Sequence, residues 1–260
     1  MKRLIKSLVL AISMYSIIPM PMISCDEEDT KYTMIFFPII GFVIGALIIG
    51  WTWLCDHFQI LGISRTLIIG AIPLVVTGGF HMDGFMDTSD ARSSYQPREK
   101  KLEILKDSHI GAFAVIRVII YMLVFLAAID MLFVVKKQSI ILFSFGFMMS
   151  RILSGIAVVT FPSARKEGML FFTAKAAQRN ANLIVLCIEG ILLSVVMCLV
   201  DWKRAIAVIA VALLSFLYYW LMSRRVFGGI TGDLAGWFVT FTECAIAVGL
   251  AIMNGVGICV

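Results

Sequence analysis

Charge is what this 260-residue chain has least of: Asp, Glu, Lys and Arg make up 15% of it, while 60% is hydrophobic. Soluble domains carry about a quarter charged residues. The scarcity, with a mean hydropathy of +0.97, excludes a soluble globular protein. Six cysteines (25, 55, 187, 198, 244 and 259) show no Cys-x-x-Cys spacing, and most lie in apolar runs. That excludes a zinc ribbon or disulfide framework and leaves small hydrophobes in packed helices. Basic blocks and aromatic–basic platforms are missing too, which excludes nucleic acid as a partner. The amino terminus, "MKRLIKSLVLAISMYSIIPMPMISC", has a basic start and an apolar run but no Ala-x-Ala cleavage site, and "MISC" is a poor lipoprotein signal. Residues 4–23 therefore read as a retained amphipathic or re-entrant helix, broken near Pro19 and Pro21, which have no N–H to donate.

What is present is apolar length. A helix crosses a bilayer with roughly 20 apolar residues, and 34–55, 60–79, 110–135, 139–161, 183–200, 205–222 and 234–258 meet that test. The expected fold is all-α: a polytopic helical integral membrane protein with about seven transmembrane helices plus the N-terminal helix. It forms one membrane-embedded domain, residues 1–260, with polar segments at 81–109, 162–182 and 223–233. If residues 4–23 do not cross, fifteen Lys and Arg fall on one side and five on the other, with Arg117 and Arg151 inside spans. The bias of basic residues toward the cytoplasm then places the polar segments there, beside the inner leaflet of the plasma membrane. An eighth crossing at the amino terminus would spoil that bias.

Against so apolar a background, "TGGFHMDGFMDTSDA" at 77–91 stands out. Asp83, Asp87 and Asp90, at i, i+4 and i+7, fall within an arc of roughly 60° on a helix. Close carboxylates repel and raise one another's pKa. A divalent cation relieves this, and hard oxygen donors favour magnesium, manganese or calcium over zinc. The ordinary alternative is a solvated acidic helix end paired with Arg92, Arg98 and Lys100, which is less natural where the acids abut apolar sequence. His81 reads as a metal ligand, a proton carrier or an interfacial polar residue.

Two further polar clusters follow. In "REKKLEILKDSHIGAF" (98–113), salt bridging along an amphipathic helix explains Glu99 and Glu103 with their lysines. It explains "KDSH" less well: Lys106, Ser108 and His109 are candidate phosphate contacts, and Asp107 a further metal ligand or base. In "RRVFGGITGDLAG" (224–236), glycine-exposed amides beside Arg224 and Arg225 suit an anion seat, and Asp233 can complete a metal site; a plain flexible loop is the competing explanation. Arg165 and Lys166 add positive charge on the same side. Arg117, Arg151, Glu189 and Glu243 lie within spans, where ionisable groups line cavities or pair. A pocket open to the cytoplasm follows, with Arg151–Glu243 as an internal pair.

Carboxylates, a divalent metal and basic residues at a membrane cavity suit transfer from a nucleoside diphosphate ester. The segments "TGGFHMDGFMDTSDA", "KLEILKDSHIGAF" and "GGITGD", in that order, resemble the cobalamin synthase family (adenosylcobinamide-GDP ribazoletransferase), as do "FFPIIGFVIG", "SRILS" and "PSARKEGM". The likeness spans nearly the whole chain. It implies an enzyme of the last steps of vitamin B12 assembly in the inner membrane. That enzyme joins adenosylcobinamide-GDP to alpha-ribazole or its 5′-phosphate, releases GMP and uses Mg2+. The family's signatures land on His81, Asp83, Asp87 and Asp90, on Lys106, Asp107, Ser108 and His109, and on Thr231, Gly232 and Asp233. On this reading Asp83, Asp87, Asp90 and Asp233 hold metal, and His81 or Asp107 activates the ribose 3′-hydroxyl. Lys106, Ser108, His109, Arg165, Arg224, Arg225 and Thr231 bind the substrate phosphates. The expected partners are these two substrates and the lipid bilayer, and a homo-oligomer is compatible with the sequence.

Two rivals fit less well. A CDP-alcohol phosphotransferase would carry DG-x2-AR-x8-G-x3-D-x3-D, whereas here "FMDTSD" follows the Asp-Gly. A cation-coupled transporter would place its acids mid-membrane and show an inverted repeat, which is not evident.

Overall fold

The computed structural model describes residues 2–24, 26–107, 109–133 and 137–258, and over these the chain is helical with no strand. Its helices are α1 (Lys2–Tyr15), α2 (Thr33–Phe58), α3 (Ile63–Thr77), α4 (Phe80–Ser93), α5 (Arg98–Ile104), α6 (Ala112–Leu132), α7 (Lys137–Thr160), α8 (Met169–Ala176), α9 (Arg179–Met222) and α10 (Gly232–Ile258). A 3-10 turn, Glu27–Thr30, precedes α2, and a π-helical turn, Ser223–Phe227, follows α9.

Among the described residues, five helices are long and apolar enough to cross a membrane, or six if the bent α3–α4 pair is one span. The longest of them crosses twice. Asp201 breaks α9 with extended backbone (φ −161°, ψ 101°), and its carboxylate accepts from Arg204 N–H at 3.2 Å, capping the second half. Leu186, before the break, packs against Gly155 of α7. Tyr219, after it, packs its ring 5.8 Å from that of Phe161, just beyond the same end of α7. Arg204, near the break, reaches Asn254 at the far end of α10. Both ends of α9 thus lie at one end of the bundle, so its two halves count as two crossings, and the total is six, or the expected seven if the bent α3–α4 pair is one span.

All the short helices gather at that same end. Helix α1 lies across it rather than through the bundle. Its Ser7 hydroxyl donates to the Asp29 carbonyl at 2.5 Å, its Lys6 pairs with the buried Asp29 at 2.9 Å, and the Tyr15 ring sits 4.6 Å from Phe37 near the start of α2. Ile17 N–H then donates to Val76 O at the end of α3. Residues 4–23 therefore do not form an eighth span. The opposite end of the bundle carries Thr66 bonded to Asp130 and Ser139 bonded to Asn254.

Candidate functional site at the polar end

Gly78 and Gly79 make the site possible. Both adopt left-handed backbone (φ 61° and 80°), which costs a residue with a Cβ. Together they turn the chain by 94° between α3 and α4. The apolar arm α3 stays in the bundle, and the polar arm α4 leaves the span and lies across the polar end against α10 and α6. The approach to α10 is close: a Cβ on Gly84 would fall 2.6 Å from the Asp233 carbonyl oxygen, and one on Gly236 3.1 Å from the His81 carbonyl oxygen. Backbone contact between α4 and the start of α10 brings Asp83 and Asp233 to one place. Gly84→Ala is expected to push the helices apart and to destabilise the protein by about 1–3 kcal/mol. Turnover should fall by more than the folded fraction does; thermal unfolding in detergent read beside a turnover assay checks this.

Between α4, the 163–168 segment leading into α8, and residues 230–233 lies a cleft of about 210 Å³. Asp83, Arg165, Glu167, Thr231 and Asp233 line it. An isolated bridge between Ser163 and Ile230 ties its two loop walls. Thr231 Oγ1 accepts from Leu234 N–H and donates to Asp233, both at 3.3 Å, so the first turn of α10 is held by its own side chains. Arg165 donates to the Leu102 carbonyl and lies 3.9 Å from the Asp233 carboxylate, a positive charge beside the acids. The salt bridge Lys106–Glu167 joins the α5–α6 loop to the cleft wall.

The three aspartates of α4 are not equivalent. Asp83 is exposed in the cleft, while Asp87 and Asp90 are half-buried. The Asp90 carboxylate lies over Gly111 at the start of α6, within 2.1 Å of where a Cβ there would stand. Burial first, and then the charges of Asp83, Asp233 and Asp90, push the Asp87 carboxyl up to about 7. Asp87 thus binds a proton in the folded protein that it loses near pH 4 when unfolded. The folded state holds the extra proton, so stability of the metal-free protein should fall as pH rises from about 4 to about 7. Thermal midpoints at pH 5 and 8 should show the drop, and Asp87→Asn should flatten it.

Among the described residues, no three His, Cys, Asp or Glu side chains close around a common point as an ion's cage would require. The three aspartates of α4 share one face of the helix as expected, and Asp90 turns to α6. Magnesium ordinarily takes one or two carboxylates and completes its octahedron with phosphates and water. Asp83 and Asp233 flanking an open cleft, with Asp87 one turn along, are a donor set of that kind.

Several expected contacts lie elsewhere. His81 is buried, its ring 5.7 Å from that of Phe37 and 5.8 Å from that of Phe80. It lines a small internal cavity with Arg151, Thr240 and Glu243, and its Nδ1 has no partner among the described residues. It does not line the cleft itself, and a second small cavity joins it to Phe80, Met169, Leu170 and Gly232 of the cleft wall. Asp107 and His109 are exposed in the α5–α6 loop and bond each other, His109 Nδ1 lying 2.6 Å from Asp107 Oδ1. That hydrogen bond holds the Asp107 carboxyl below its ordinary range, a poor base at neutral pH. Neither residue lines the cleft, and Ser108 lies outside the described residues. Arg224 and Arg225 are exposed on the π-helical turn, Arg224 over the Trp220 ring at 5.1 Å, and neither borders the cleft. Glu167 and the Gly84–Gly236 contact went unread in the sequence; a glycine directly after Asp83 was the available signal.

The model of the CobS family, cobalamin-5-phosphate synthase, matches residues 7–251. Among similar proteins, the adenosylcobinamide-GDP ribazoletransferase of Lachnoclostridium phytofermentans is 40% identical over 255 residues, covering 98% of this chain and 95% of its own. The enzyme of that name from Clostridium perfringens is 31% identical over 250 residues, covering 94% and 96%. That from Listeria monocytogenes is 31% identical over 244 residues, covering 89% and 91%. No solved structure matches the chain.

Proposed function

The chain belongs to the cobalamin-5-phosphate synthase family, and from that premise we propose that its polar-end cleft joins adenosylcobinamide-GDP to alpha-ribazole or its 5′-phosphate. The ribose 3′-hydroxyl oxygen bonds to the phosphorus that carries the corrinoid arm. The bridging P–O bond of the diphosphate breaks, GMP departs with the bond's electron pair, and the hydroxyl proton passes to a base. The observation that carries this reading is the meeting of Asp83, Asp233 and Arg165 around one cleft.

Magnesium bound there would neutralise the diphosphate and stabilise the departing phosphate. Asp83 and Asp233 would hold it, with Asp87 one turn along as a further donor. Arg165 lies where it can take a phosphate oxygen, and the first-turn amides of α10, with the Thr231 hydroxyl once it turns from Asp233, would donate to the same anion. With His81 outside the cleft lining and Asp107 paired to His109, the carboxylates of α4 and of Asp233 are the groups placed to accept the hydroxyl proton. Lys106, engaged with Glu167 at the cleft mouth, would be freed toward phosphate by opening that pair.

Purified protein given adenosylcobinamide-GDP, alpha-ribazole and magnesium should release GMP in step with corrinoid product, and should not when magnesium is withheld. GMP release without a ribazole-linked product would defeat the transfer reading. The fifteen basic residues expected on one side support a cytoplasmic, inner-membrane orientation of the polar end. Single cysteines placed in loop 94–97 should label only from the cytoplasmic side; labelling from outside would invert it.

A further inference from the structure

On the face of α4 turned away from its acids lies a second, larger groove of about 550 Å³, walled by α4, α6, α10 and the second half of α9. Its upper end is basic and aromatic. Arg92 donates to the Tyr218 hydroxyl at 2.7 Å, and its guanidinium stands 5.3 Å from the centre of the Trp237 ring. Arg117 is exposed about 8 Å along α6, with no hydrogen bond or ion pair among the described residues. Tyr95, 95% exposed, marks the rim as interfacial aromatic residues do. Below this the lining turns apolar, to Ile120 and Val124 on α6 and Val248 on α10. From Trp237 to Val248 the groove descends about 17 Å along α10, close to one leaflet of a bilayer core of about 30 Å.

A charge inside a span needs a counter-charge, and no Asp or Glu is among the residues lining this groove. We propose that the groove is a binding site for one anionic phospholipid, its phosphate between Arg92 and Arg117 and an acyl chain along Ile120, Val124 and Val248. Polarity falls along the groove in the order of the parts of a lipid. Trp237 and Tyr218 already face the Arg92 guanidinium, and a choline or ethanolamine ammonium would add a third positive charge beside Arg92 and Arg117. A headgroup without an ammonium, such as phosphatidylglycerol, is therefore the one that fits.

The test places the protein in nanodiscs holding equal fractions of phosphatidylglycerol and phosphatidylcholine, with one lipid brominated on its acyl chain at a time. The Trp237 share of quenching is taken by difference from Trp237→Phe. Brominated phosphatidylglycerol should quench Trp237 more than brominated phosphatidylcholine does. Arg117→Gln, which removes no internal bond, should weaken the preference roughly fivefold in relative affinity, as expected for one basic residue at a lipid surface. Adding Arg92→Gln should remove what remains. Equal quenching by the two lipids would reduce the groove to ordinary boundary-lipid contact and overturn the proposal. So would relief of the phosphatidylglycerol quench by adenosylcobinamide-GDP, which would assign the groove to substrate. GMP release in the same discs reports the transfer reaction separately.

Discussion

Asp87→Asn should lower turnover by roughly 10³-fold or more, the scale of losing a charge that acts on phosphoryl transfer, while the protein remains folded in the membrane. The substitution is mild structurally because the native carboxyl already sits near 7 in the metal-free fold, so a neutral amide resembles a form the site tolerates. It is severe chemically. Asp87 feels the charges of Asp83, Asp233 and Asp90 together, which places it at the centre of the acid group. Two readouts separate its roles. If Asp87 holds metal, the magnesium concentration for half-maximal rate rises steeply in Asp87→Glu and Asp87→Asn alike. If it takes the hydroxyl proton, magnesium dependence stays as in the parent, and the acidic limb of the pH–rate profile disappears. Full activity in Asp87→Asn would remove both roles and leave Asp83 and Asp233 as the acids of the cleft.

Much of this architecture was legible because lipid imposes a simple rule: apolar runs of bilayer length become spans. The break in α9 was legible as "DWKR", a charged island between two such runs, and the bend before α4 as "TGG". The acid face of α4 was legible in part. Helical arithmetic gathers Asp83, Asp87 and Asp90 on one side, and that holds. It does not say what stands opposite each of them, which is why Asp90's turn toward Gly111 was not foreseen. His81 is a sharper lesson. It was grouped with the acids by nearness along the chain, yet at about 100° per residue it lies some 160° from Asp83 and 120° from Asp87. The period that united the aspartates already turned the histidine toward the core. "KDSH" differs for another reason. Lys106, Asp107 and His109 lie in a loop, where spacing carries no angular information, and Asp107 bonds His109. Pairings across long separations, such as Lys106 with Glu167, leave no mark in a single sequence.

The internal pair expected from Arg151 and Glu243 is present, with the two side chains only 1% and 5% exposed. Replacing either alone should be among the most destabilising changes available. Arg151→Met would leave a carboxylate with the Ser150 hydroxyl as its remaining partner, and Glu243→Leu a guanidinium with only the Phe147 carbonyl and Ser150 hydroxyl. A buried charge stripped of its partner costs about 3–5 kcal/mol, whereas replacing both by apolar groups of similar volume is often neutral. The double variant Arg151→Met/Glu243→Leu should therefore recover most of what each single change loses, a strongly non-additive cycle measurable by unfolding in mixed detergent. Turnover should follow the same pattern, because the pair acts on the chemistry only through packing. It underlies His81, whose carbonyl accepts from Thr240 at 3.2 Å and seats the first turn of α4 on α10. Loosening that floor lets Gly84 lift from Asp233 and opens the cleft; restoring its volume without its charges should close it again.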